Sequence, residues 1–309
     1  MLYRILSVLI SLGIGLTSCA PSAKLPVPLI IDADTANEID DIFALARAVN
    51  APELELIGVT AAQFHTSPLA SANTAQESQV LNEQVMKLLQ VKDLPLLIGS
   101  KEPLSQSVAK TSPASDFIVQ QAKKYTPENP LHLVILGSCT NVASAILQDT
   151  TIVPNIKVHY LGFWHNPITN SYNKKEFNSG NDTLAVNYLL NKKDLDLSIM
   201  TATTSLYLQF SKEEVVANLQ GKGPFADLLL DRWEAYERWW TTTDPSKMYW
   251  TMWDVALIEA LAKPTLSTQN TYQTPEENTP RPITIHTAIE VEAMKKDYWA
   301  HFTSLINKE

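Results

Sequence analysis

The feature that most limits what this chain can fold into is an alternation: short apolar runs, each followed by a stretch with helical spacing. Leu29-Ile30-Ile31 ends in acids, and Ile39, Ile42, Phe43, Ala46 and Val49 then recur at i, i+3, i+4. Residues 55–60, centred on Leu56-Ile57-Gly58-Val59, read as a second strand, and 74–89 as an amphipathic helix. Runs at 96–99, 131–137 and 157–162 read as further strands, with helices over 115–124 and 141–147. A helix between strands carries the chain back across a sheet face, so the strands lie parallel. The expected fold is therefore α/β, a mostly parallel central sheet flanked by helices. Ligands of such open sheets bind beyond the carboxyl ends of the strands.

The second half reads as more helical, over 182–190, 212–219 and 225–240. Residues 265–282 are polar and proline-rich, a loop with room for one strand; a strand over 283–289 and a helix over 298–306 follow. With no repeat and no linker, 29–309 is expected to be one domain.

The first residues stand apart. Arg4 is the only charge before Lys24, and 5–16 is an apolar run of signal-peptide length. It ends in Leu16-Thr17-Ser18-Cys19, which resembles a bacterial lipobox. Residues 1–18 are thus expected to be a lipoprotein signal, Cys19 the lipidated residue and 19–28 a tether. The anchor implies the bacterial cell envelope, with membrane contact only through the lipid. Cys139 then remains alone, so no internal disulfide can form. The net charge of -9 argues against nucleic acid, whose phosphates need a basic surface, and leaves a small neutral substrate open. A homo-oligomer is also left open.

Asp32-Ala33-Asp34-Thr35-Ala36-Asn37-Glu38-Ile39-Asp40-Asp41 carries five carboxylates in ten residues. Like charges this close repel, and the cost rises when water is excluded. A bound cation removes it. Oxygen donors without cysteine or histidine favour calcium or magnesium over zinc. Asp40 and Asp41 also fall in an expected first helical turn, where the dipole favours acids, so a solvated helix start is the plain alternative.

Two families begin in this way. Asp32-Ala33-Asp34-Thr35 after a strand resembles the nucleophile motif of haloacid-dehalogenase-like phosphatases. The longer run through Asp40-Asp41, followed by Phe43-Ala44-Leu45, resembles the metal motif of inosine-uridine-type nucleoside hydrolases. Downstream residues favour the second. Asn170 with Glu176-Phe177-Asn178 is similar to that family's sugar-binding loop, and Gly137-Ser138-Cys139-Thr140-Asn141 resembles its Gly-x-x-Thr-Asn segment. Trp253-Asp254-Val255-Ala256 resembles its last metal motif, with tryptophan where pyrimidine-tolerant members have histidine. The phosphatase reading would need a later lysine and a Gly-Asp-type motif, for which Gly180-Asn181-Asp182 is a poor candidate.

The resemblance implies a Rossmann-like nucleoside hydrolase fold and Ca2+-dependent cleavage of ribonucleosides, leaning to purines. It implies Asp34, Asp41, Asp254 and the Thr140 carbonyl as calcium ligands, and Asp34 as the general base. Asp40, Asn170, Glu176 and Asn178 would grip the ribose, and Trp253 would stack on the base. The chain also departs from the family pattern. Five residues separate Asp34 from Asp40 where three are usual, which brings Asn37 and Glu38 towards the pocket. Gln63 and His65 stand where the family has an asparagine. Trp233, Tyr236, Trp239 and Trp240 lie at helical spacing and read as core, with the base side of the cleft as the alternative. His165, alone in a loop, is expected to be uninvolved. A non-catalytic lipoprotein that binds nucleosides or sugars is the remaining alternative.

Overall fold

The computed structural model describes residues 25–306; the expected signal 1–18, Cys19 and the start of the tether lie outside the described residues. Its frame is an eight-stranded sheet. In chain order the strands are β1 (Val27–Ala33), β2 (Leu54–Ala61), β3 (Leu96–Ile98), β4 (Leu131–Ile135), β5 (Ile156–Gly162), β6 (Trp164–Asn166), β7 (Ser171–Asn173), β8 (Asp196–Thr201), β9 (Gln209–Ser211), β10 (Tyr249–Thr251), β11 (Ser267–Gln273) and β12 (Pro282–Ile289). The large sheet runs β11-β12-β8-β5-β4-β1-β2-β3, while β6 with β7 and β9 with β10 form two small antiparallel pairs. Every pairing in the large sheet is parallel except β11 with β12.

Alternation within the strands builds a core on each face. Ile30 turns to the helices Pro113–Ala122, Thr140–Gln148 and Thr183–Asn191; Leu29 and Ile31 turn to Asp40–Val49, Trp253–Ala262 and Val291–Ile306. A strand buried on both faces must be apolar throughout, which is why Leu29-Ile30-Ile31 reads as an unbroken run.

The structure refines the bounds of the expected elements. β1 begins two residues before Leu29, with Val27 and Pro28 already beside Leu54 and Glu55. The second half is the more helical, as expected, and it also supplies β8, β12 and β11, three of the eight large-sheet strands. β8 has a weak apolar signal: Ser198 interrupts it, and only the sheet provides that hydroxyl with the ring of His286, at 3.3 Å. The helix expected over 225–240 stops at Ala235, where Tyr236 turns extended and Arg238 donates to the Tyr249 carbonyl.

The topology fixes where a ligand can bind. From β1 the chain moves outward to β2 and β3, then returns to β4 on β1's other side. The connections leaving β1 and β4 therefore part above the sheet, and a crevice opens between them at the carboxyl ends. The acidic run follows β1, and Gly137 to Asn141 follow β4.

Candidate active site

A cleft of about 210 Å³ opens at that crevice. Asp40 and Asp41 form the first turn of the helix Asp40–Val49, and Asp254 is the second residue of the helix Trp253–Ala262. Far from the cleft, buried Arg47 pairs with Glu259 at 2.6 Å and with Asp297 at 2.7 Å. These pairs tie the two helices and the last one together and so hold Asp254 beside Asp40. The Asp254 amide donates to Asp40 Oδ2 at 3.1 Å. One oxygen from each of Asp40, Asp41 and Asp254 lies within 4.8 Å of the others.

Asp34 completes the floor. It approaches so closely that a Cβ at Gly137 would sit 2.9 Å from its Oδ1, so a side chain there would displace the Asp34 carboxyl. Burial pushes the Asp34 carboxyl well above the usual range, reinforced by Asp41, Asp40 and Glu38. Burial and then Asp40 do the same to Asp41. Burial and then Asp40, Asp41, Asp34 and Glu38 do so to Asp254. Asp40 rises to about 7, again through burial, because backbone N–H groups partly offset it. Asp34 Oδ2, Asp41 Oδ1 and Asn37 Oδ1 are buried acceptors without a hydrogen-bond partner. Orphaned oxygens cost free energy unless something donates to or coordinates them. An all-oxygen set of this kind fits a hard divalent cation, so Asp40, Asp41 and Asp254 can hold a metal ion, with Asp34 beside them.

Glu176 and Asn178 also line the cleft. Glu176 caps a short helix: it accepts from the amides of Asn178, Ser179 and Phe163 and from the Ser179 hydroxyl, between 2.8 and 3.0 Å. Burial still raises its pKa. Asn178 Nδ2 donates to the carbonyls of Leu136 and Leu161, bracing β4 against β5. Both residues thus shape the cleft as well as face it. Trp253 lines it too, edge-on to Trp164 with ring centroids 6.0 Å apart.

Two of the expected site residues are not among those lining the cleft. Asn170 sits with positive φ in the turn between β6 and β7, accepts from the Tyr172 hydroxyl and donates to the Gln273 carbonyl. It supports the hairpin that carries Trp164 instead of reaching the cleft. Thr140 opens the helix Thr140–Gln148, and its hydroxyl donates to Asp182 at 2.7 Å. Gln63 is buried and clasps Ser138, the Asn181 carbonyl and its neighbour His65. His65 is exposed and does not line the cleft. His165 packs against Tyr172 and Tyr272 behind the hairpin.

The longer loop does bring Asn37 and Glu38 into the cleft. Trp164 and Phe177, which the sequence did not single out, line the cleft, as do Trp239 and Trp240 of the aromatic stripe. Trp233 is core, as its helical spacing suggests, but Trp239 and Trp240 lie past the end of that helix. The doubled tryptophan beside Thr241-Thr242-Thr243 and Asp244-Pro245 was the available signal for a loop.

A family model described as inosine-uridine preferring nucleoside hydrolase matches residues 29–296. The chain belongs to this family. As a member it is a hydrolase that cleaves the N-glycosidic bond of nucleosides. Uridine nucleosidase 1 of Arabidopsis thaliana is 23% identical over 242 residues, covering 70% of this chain and 68% of that protein. Among solved structures, the purine-preferring ribonucleoside hydrolase from Gardnerella vaginalis has a TM-score of 0.72 at 19% identity, covering 91% of this chain and all of the other. The inosine-uridine preferring nucleoside hydrolase from Bacillus anthracis has a TM-score of 0.64 at 15% identity, covering 92% of this chain and 100% of the other. These likenesses support the fold; the family match carries the reaction class.

Proposed function

We propose that this hydrolase uses calcium, prefers purine ribonucleosides and works from the cell envelope on a lipid at Cys19. The observation that carries the metal reading is the convergence of Asp40, Asp41 and Asp254 within 4.8 Å beside the orphaned oxygens of Asp34 and Asp41. Calcium fits best because the donors are oxygens alone and come from a flexible set of carboxylates. When bound, it supplies a Lewis acid that lowers the pKa of a water and engages the ribose diol.

The chain's own groups do the rest. Asp34 takes the proton from the attacking water as general base. Asp40 and Asn178 hold ribose hydroxyls, and Glu176 fixes the loop that presents Asn178. As the bond breaks, positive charge develops on the sugar, and the carboxylates on the cleft floor stabilise it. Trp253 offers an indole face to a two-ring base, which favours purines over pyrimidines.

The test is a reducing-sugar assay over a nucleoside panel, with and without chelator. Turnover that calcium restores after chelation, fastest with purine ribosides, supports the reading; a phosphate ester as the only substrate overturns it. Asp34→Asn should lower kcat by about 10²–10⁴-fold while calcium still binds. Near-normal turnover would remove Asp34 from the role of base. Labelled fatty acid incorporated by the full chain and not by Cys19→Ala supports the anchor; equal labelling of the two removes Cys19 as its site.

A further inference from the structure

The longer loop after β1 carries a polar atom with nothing to bind. Asn37 is 5% exposed and lines the cleft together with Asp34, Asp40, Asp41 and Asp254. The chain around it is fixed from several sides. The Asn37 amide donates to the Asp34 carbonyl at 2.7 Å and closes a turn. The Thr35 hydroxyl donates to Asn82 Oδ1 at 2.6 Å. Arg232 donates to the carbonyls of Ala36 and Glu38, on either side of Asn37, at 3.2 Å. Glu38 accepts from Trp250 Nε1 at 3.2 Å. Asn37 Oδ1, in contrast, is buried without a hydrogen-bond partner. An acceptor held in place in this way costs free energy until a donor or an ion reaches it.

Size, charge and coordination all favour an ion over a sugar hydroxyl. Asn37 Oδ1 is closed to water, as are Asp34 Oδ2 and Asp41 Oδ1 of the same cleft. A hydroxyl is about as large as water and meets the same barrier. A bare calcium ion sits closer to its oxygens, at about 2.3–2.6 Å, than the roughly 2.7–3.0 Å of a hydroxyl's hydrogen bond. The carboxyl groups of Asp34, Asp40, Asp41 and Asp254 can already supply more negative charge than a divalent ion balances, so a further ligand is best neutral. Calcium takes about 6–8 oxygens, and side-chain amides are among its regular donors.

We propose, resting on the calcium reading above, that the side-chain oxygen of Asn37 is a ligand of the metal ion, a neutral donor that the longer loop adds to the aspartates. One turn, with Asp34 at its start and Asn37 at its end, then serves the ion through both side chains. Metal affinity becomes a property of this loop as well as of the two helix starts that carry Asp40, Asp41 and Asp254.

The test uses the full chain, stripped with chelator, and reads the metal with no nucleoside present. Isothermal titration calorimetry measures calcium affinity in the unsubstituted protein, in Asn37→Ala and in Asn37→Asp. Asn37 is not among the described residues with positive φ, so the turn accepts alanine. Asn37→Ala should weaken calcium by at least about tenfold, the low end of what even the outer partners of a metal site contribute. Asn37→Asp keeps an oxygen and should bind as tightly or tighter. Should Asn37→Ala not fold, Asn37→Leu keeps the bulk without the oxygen and carries the same expectation. Terbium(III), an oxygen-seeking ion whose luminescence nearby indoles excite, then counts bound waters through its lifetimes in H2O and D2O. Asn37→Ala should add about one water to the ion, and Asn37→Asp none. Equal affinity and equal water count in the unsubstituted chain and Asn37→Ala overturn the proposal and leave the calcium reading standing. A raised KM for inosine alongside that equality would make Asn37 a sugar contact instead. An unsubstituted chain that binds neither ion overturns the calcium reading itself.

Discussion

Asp254→Asn should make the metal-free protein more stable while removing most of its stabilisation by calcium. The expectation follows from the floor of the cleft, where oxygens of Asp40, Asp41 and Asp254 lie within 4.8 Å of one another. At that separation, and with an effective dielectric of about 20, each ionised pair repels by about 3 kcal/mol. Proton sharing within the cluster makes this an upper bound. The pKa values give the sign. Folded Asp34, Asp41 and Asp254 have raised pKa values, so they keep protons that the unfolded chain has released. Metal-free stability therefore falls as pH rises from the ordinary carboxylate range through those raised values. Neutralising one member at pH 8 should recover part of the loss, up to roughly 6–12 °C in Tm for about 3 kcal/mol. Calcium at 100 times its Kd should add about 2.7 kcal/mol to the unsubstituted protein, and far less to the variant. Differential scanning fluorimetry in chelator and in calcium reads both effects. A variant that melts lower in chelator, yet gains as much from calcium as the unsubstituted chain, would refute the idea that these acids meet around a cation.

Three further outcomes follow from particular contacts. Arg47→Met should cost about 3–5 kcal/mol in denaturant unfolding, because it leaves buried Glu259 without its partner at 2.6 Å; a loss under 1 kcal/mol would show that the staple is dispensable. Burial lowers the His286 pKa to about 4. The unfolded chain then takes up a proton below about 6.5 that the fold refuses, so stability present above that pH is lost on the way to pH 4, by about 3 kcal/mol from this group. His286→Gln should flatten that part of an unfolding-versus-pH curve, and an unchanged curve would exclude His286 as its source. Trp253→Leu should reduce kcat/KM for inosine relative to uridine by about 2–10-fold through lost stacking; an equal fall for both substrates would assign Trp253 to packing alone.

The parts visible in the sequence are those governed by local rules. Burial on both faces makes β1 a continuous apolar run, and helical spacing marks 39–49, so the parallel α/β frame can be read from neighbours a few residues apart. The acidic run also announces itself, because five carboxylates beyond a buried strand are too costly to be incidental. The tertiary structure decided which distant groups meet. Asp254 reaches Asp40 across 214 residues because Arg47, Glu259 and Asp297 bind their helices together, and no local spacing encodes that contact. Asn170 matches the expected motif, yet a turn ties it to Tyr172 and Gln273. Trp239 and Trp240 share the helical spacing of buried Trp233, but the helix ends before them and they wall the cleft. Periodicity records which residues would share a face if an element continued; only long-range packing decides where it stops.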